Sequence, residues 1–148
     1  MPSEVVRIES WLSSRLLGDT GSSGLFGIVN GRIYPYLIPQ GVVAAGGHPA
    51  VVYSFQAGRD VQGLGTNRVM TRPLYLVKVI SNGAPNAAAK SAADRIDERL
   101  TVAASAKDGY AFSGRREQSI SFVEVDEATK AQYWHVGGLY RIEAYPTV

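Results

Sequence analysis

The chain has 148 residues, enough for one domain with a sizeable hydrophobic core, and a net charge of +2 that does not by itself argue for nucleic acid. It contains no cysteine, which excludes disulfides, thiolate metal sites and a cysteine nucleophile, and fits use in a reducing compartment. No stretch approaches the roughly 20 apolar residues that cross a bilayer, and the early Glu4 without a basic-then-apolar pattern gives no expectation of a secretion signal.

The first element is a helix from about Ser3 to Leu17. Ser3 suits an N-cap, Glu4 sits in the first turn, and Gly18 marks the stop. Val5, Ile8, Leu12 and Leu16 form one apolar stripe, with Trp11 beside it as an anchor for packing on a sheet. Residues 18–31 are rich in Gly and Ser and read as a connector, ordered in its second half around Leu25-Phe26-Gly27-Ile28-Val29. Arg32 to Tyr36 extends as a short strand. Pro35 and Pro39 put it at a sheet edge, because proline has no backbone donor for a central ladder.

Ala50 to Phe55 alternates Val51, Tyr53 and Phe55 against Val52 and Ser54, the pattern of a strand. A long polar loop follows at about 56–72, carrying Arg59, Arg68 and Arg72 and closed by Pro73. Leu74 to Ser81 is a strand apolar on both faces, which predicts a central position covered on both sides. Asn82-Gly83 is a turn. A second helix is expected from about Asn86, its N-cap, to Ser105, burying Ala89, Ala92, Ala93, Ile96, Leu100 and Ala103. Beyond Asp108-Gly109 the chain reads as β: Tyr110 to Phe112, Gln118 to Val125, and Tyr133 to Tyr145. The polar connector 126–131 makes a turn, and Gly137-Gly138 predicts a bulge or a close backbone approach.

Chemistry is sparse. His48 and His135 have no i, i+4 ligand partner, so no metal site is expected. There is no Gly-x-Ser-x-Gly elbow. Gly63-Leu64-Gly65-Thr66-Asn67-Arg68 starts like a dinucleotide fingerprint but has Arg68 in place of the third glycine and opens no helix. Neither an enzymatic activity nor a cofactor is expected. The two arginine groups, Arg59, Arg68 and Arg72 in the loop and Arg115-Arg116 later, read either as solvated surface or as a surface facing DNA or an acidic partner.

Three segments carry a resemblance: Tyr34-Pro35 with Leu37-Ile38-Pro39-Gln40-Gly41; Pro49-Ala50-Val51-Val52-Tyr53; and Gly137-Gly138-Leu139-Tyr140-Arg141-Ile142 leading to Tyr145. In this order, between an N-terminal helix and a C-terminal β-hairpin, they resemble the tail-completion, or tail-terminator, family of long-tailed bacteriophages over nearly the whole length. The resemblance implies a single α+β domain over residues 1–148, with a mixed or antiparallel sheet, two main helices and a C-terminal hairpin. It implies a ring, usually hexameric, that caps the head-proximal end of the tail tube, stops tube growth and offers a docking face to the head. Expected partners are further copies of the chain, the tail tube protein and head–tail connector proteins, with non-specific contact to DNA in the lumen and none with a membrane. The expected location is the virion neck, with assembly in the host cytoplasm. On this reading Arg59, Arg68 and Arg72 are candidate assembly contacts, and Arg115 and Arg116 a second candidate for a subunit boundary or lumen face. The alternatives are a head–tail adaptor or stopper, a small non-specific DNA-binding module, and a hydrolase built around His48 or His135.

Overall fold

The computed structural model describes the chain except residues 1, 40, 44–46, 59, 63–67, 84–85 and 148, and describes only the backbone of residues 2–4, 60–62 and 68–69. In chain order the elements are α1 (Pro2–Leu17), α2 (Leu25–Val29), β1 (Ile33–Pro35), β2 (Ala50–Ala57), β3 (Asp60–Gln62), β4 (Arg68–Thr71), β5 (Leu74–Asn82), α3 (Ala87–Leu100), β6 (Val102–Lys107), β7 (Tyr110–Val125) and β8 (Gln132–Pro146). The result is a small α+β domain with one mixed sheet. β1 runs parallel to β2, and every other pairing is antiparallel.

Register resolves the sheet into two long hairpins. Ala57 pairs with Leu74 and Asp60 with Thr71, so β3 and β4 continue the β2–β5 ladder without a change of register across Gly58 and Arg72-Pro73. The stretch expected as a long polar loop at 56–72 is therefore the far end of a hairpin, of which Arg59 and residues 63–67 lie outside the described residues. Its polar and glycine-rich composition concealed the strands. The second hairpin is β7–β8, turned at Asp126-Glu127-Ala128-Thr129-Lys130-Ala131, where the Asp126 carboxylate accepts from the Ala128 N–H at 2.9 Å. β5 and β8 join the hairpins along Leu74↔Arg141 to Asn82↔Tyr133, which points their two tips to opposite ends of the sheet.

The helices pack on one face. Tyr75, Val77 and Val79 of β5, Tyr140, Ile142 and Ala144 of β8, and Phe112 of β7 meet Ile8, Trp11, Leu12 and Leu16 of α1 and Ala89, Ala92, Ile96 and Leu100 of α3. Trp11 stacks on Phe112 with ring centroids 5.2 Å apart and donates from Nε1 to Ser105 Oγ, the anchoring role its position predicts. Asn86 caps α3 by accepting from the Ala89 N–H at 2.8 Å. The proposed cap at Ser3 falls on a side chain outside the described ones.

Three expectations need correction. α3 ends at Leu100, not Ser105, because the β-branched Thr101-Val102 pair leads into β6, where Ala103 is exposed and not part of the buried stripe. β7 is one strand from Tyr110 to Val125, with a register shift between Arg116 and Gln118 where two strands were expected. β5 is central but covered by helices on one face only; Leu74, Leu76, Lys78 and Ile80 on the other are half-buried. Leu76 and Ile80 are there because the open face is itself apolar, which a sequence pattern cannot distinguish from a covered one.

Gly137 and Gly138 mark the close approach expected of them. A Cβ on Gly137 would collide with the Val77 carbonyl oxygen and lie 2.6 Å from Lys78 Cα, and one on Gly138 would lie 2.8 Å from the Gln118 carbonyl oxygen. β8 is thus pressed from both sides, and the register shift in β7 faces this glycine pair. One further anchor had no signal in the sequence pattern. Asp19 is buried in the connector after α1, accepts from the Leu25 N–H at 2.8 Å and from Arg95 Nε at 2.9 Å, and so fastens α2 to α3. The Arg95 hydrogen bond holds the Asp19 carboxyl below the usual carboxylate range.

Candidate assembly surface

The face of the sheet away from the helices is the main surface left open. Paired positions share a face, so Val52, Leu76, Lys78, Ile80, Ile120, Phe122, His135, Gly137 and Leu139 lie together on it. Near its middle Phe122 stacks on His135, with centroids 4.4 Å apart, and Lys78 Nζ stands 5.4 Å from the Phe122 ring centre. His135 is buried, and its Nε2 lies 3.1 Å from Glu124 Oε2. Burial, and then the neighbouring Lys78, push the His135 imidazole below its usual range, against the opposing pull of Glu124. Ile38, Pro39, Gly41 and Val43 border one end of the face and, with Ile80, Tyr133 and His135, line an open pocket of about 270 Å³.

Two strand edges are also open. β6 covers β7 only from Tyr110 to Gly114, and from Arg115 to Val125 the outer edge of β7 pairs with no described residue. β1 covers β2 only from Val51 to Tyr53, which leaves Ser54 to Ala57, and β3 beyond it, unpaired on the outer side among the described residues. The uncovered half of β7 exposes Phe122, Val123 and Val125, and the uncovered part of β2 exposes Phe55.

The candidate arginines fall in three places. Arg59 lies outside the described residues, and Arg68 is in β4 with its side chain outside them. Arg72 and Arg115 come together on the open face around two glutamates. Arg72 Nε lies 3.0 Å from Glu143 Oε1, close enough for an ion pair although angled too poorly for a hydrogen bond, and Arg115 lies 3.9 Å from Glu117. Arg141 sits between them, donating to Glu117 at 2.9 Å and to the Arg72 carbonyl at 2.9 Å. The hydrogen bond from Arg141, reinforced by the charges of Arg141, Arg115 and Arg72, lowers the Glu117 carboxyl. Arg116 projects to the other face, 3.7 Å from Asp97 of α3. Arg72 is thus half-committed within the subunit, whereas Arg115 is the most exposed of the described candidates. Sequence reasoning missed Glu117, Arg141 and Glu143, because a cross-strand charge network appears only when the register is known.

The histidines stay apart. His48 Nδ1 lies 3.3 Å from the Ile28 carbonyl oxygen, and among the described residues no group of three His, Asp or Glu side chains is placed to hold a metal ion. Among the described residues no helix is long and apolar enough to cross a membrane. In comparisons with known proteins the chain matches no family model and no curated sequence.

Proposed function

We propose that the chain is a structural protein of a long-tailed bacteriophage, a tail terminator that acts by forming a ring on the head-proximal end of the tail tube. The observation that carries this reading is a sheet that, among the described residues, is left open on one apolar face and on two outer edges, with the helices packed on the other face. A ring subunit needs two different surfaces that close by rotation, and a further surface that matches the end of the tube. Open apolar surface on a small domain marks interaction more often than chemistry. The segments Tyr34 to Gly41, Pro49 to Tyr53 and Gly137 to Ile142, which resemble the tail-completion family, add the specific identity of the assembly. No reaction and no cofactor enter this account.

The half-buried face around Leu76, Leu139 and Phe122 is assigned to contact with the tube or the connector, and the strand edges to contact between copies. Arg72 and Arg115, with Glu117 and Glu143 between them, form the polar border of that face. Electron microscopy of lysates from the encoding phage with an early stop codon in this gene tests the reading. Overlong, headless tubes are expected. Normal-length tails beside unattached filled heads would move the protein to the joining step as an adaptor, and intact infectious particles would overturn the structural reading.

A further inference from the structure

An uncapped strand edge is a hazard that proteins blunt with charges, proline, bulges or short length. The other edges of this sheet carry such devices: β1 is three residues long and ends in Pro35, and β6 has a register shift between Val102 and Ser105 and ends in Lys107. The open half of β7 carries charges at Arg115, Arg116, Glu117 and Glu124 and a register shift between Arg116 and Gln118, but none of these devices between Gln118 and Val123. From Gln118 to Val123 it reads Gln-Ser-Ile-Ser-Phe-Val, with no charge and no proline, and it is exposed along nearly all its length. A six-residue window of that composition is among the most adhesive a sheet can present. Its persistence at an open edge implies an occupant.

The same sheet supplies a matching surface. On its opposite side the outer edge of Ser54–Ala57 and of β3 pairs with no described residue. Strands β2, β5, β8 and β7 alternate in direction. A second copy related by rotation about an axis inclined to the strands would therefore bring its β2–β3 edge to β7 antiparallel, the favoured pairing, and displaced along it. The two open stretches are staggered, one level with Leu139 to Ala144 of β8 and the other with Gln132 to Arg141. Stagger between successive strands is what closing a sheet around an axis requires.

We infer that the ring closes by strand addition, the open edge of β7 from Arg115 to Val125 in one copy pairing antiparallel with the edge formed by Ser54–Ala57 and Asp60–Gln62 of the next. This rests on the ring-forming reading above and names the contact through which the ring is made. The contact is heterologous, so each copy offers one edge and receives one. Its affinity comes from backbone hydrogen bonds and its register from Ile120 and Phe122.

The test is hydrogen exchange of the intact protein, free and bound to purified tail tubes, with tube capping scored by electron microscopy in the same samples. Exchange in peptides covering residues 118–125 and 54–62 is expected to slow by about tenfold or more on capped tubes, while β5, already paired on both sides, is unchanged. Val123→Lys, which puts a charge at an exposed position in the uncharged part of the edge and is checked for an unaltered melting curve, is expected to lose capping and the added protection together. Capping with no added protection at either edge would overturn strand addition and leave the terminator reading standing. A wild-type protein that does not cap tubes would overturn the reading and the inference with it.

Discussion

Substitution of Gly137 by alanine bears most sharply on how the sheet is built. The added methyl would press into the backbone of β5: it overlaps the Val77 carbonyl oxygen and lies 2.6 Å from Lys78 Cα and 2.9 Å from Lys78 Cβ. These atoms belong to a neighbouring strand in an unbroken ladder, and β8 cannot retreat, because β7 is paired along its other side from Gln132 to Pro146. Relief must come from distorting one of the two ladders, which places the cost near the top of the overpacking range, about 3 kcal/mol. For a domain of this size that corresponds to a fall in Tm of roughly 6–12 °C. Gly109→Ala is the comparison: it has φ +79° but no atom within 4 Å of the added methyl, so only backbone strain of about 1–2 kcal/mol applies. Urea denaturation followed by far-ultraviolet circular dichroism, with unchanged slope, measures both. Equal stability of Gly137→Ala and the wild type, or a smaller loss than in Gly109→Ala, would refute the close-approach argument.

Trp11→Ala should cost about 3–5 kcal/mol, since it empties the stack on Phe112 in the core, and Trp11→Phe should cost less because it removes chiefly the hydrogen bond to Ser105; both are read from urea midpoints. Asp19→Asn should destabilise by roughly 2 kcal/mol at neutral pH, as it removes charge from the group that holds both the Leu25 N–H and Arg95. Because the folded-state carboxyl is lowered, its contribution is fully present above the unfolded carboxylate pKa of about 4 and is lost as pH falls through the folded value, so the difference between wild type and Asp19→Asn should shrink toward acid. His135 runs in the opposite chemical sense: burial keeps it neutral when folded, so stability is full above about pH 6.5 and falls as the solution is acidified toward the folded pKa. A His135→Gln variant should lose that segment of the stability-versus-pH curve while keeping the acid limb set by Asp19.

Elements with a covered face were readable from sequence, and elements without one were not. α1, β2, β5 and β8 each bury one alternating or helical set of apolar residues, and their spans lie within a few residues of expectation. β3 and β4 escaped notice because Asp60-Val61-Gln62 and Arg68-Val69-Met70-Thr71 are too short to show an alternating apolar pattern. α3 was overextended because Ala103-Ala104-Ser105 has high helix propensity, yet Ser105 accepts from Trp11 and β6 pairs with the start of β7. Of the candidate site, Arg115 and Arg72 were named from their clustering. Their partners Glu117 and Glu143, and the anchor Asp19, depend on cross-strand register and connector path, neither of which leaves a local pattern. The open β7 edge was likewise hidden, because an unpaired strand and a paired one have the same side-chain alternation.

A protein that ends a tail tube by closing a ring on it must act on tubes as they grow. Purified protein added to tail tube protein during polymerisation in vitro tests that most directly, with tube lengths and end structure measured by negative-stain electron microscopy. Tubes that stop growing and carry a ring at one end only, with mean length falling as the protein is added in increasing amounts, are the predicted result. A length distribution independent of the protein, with bare ends throughout, would contradict it.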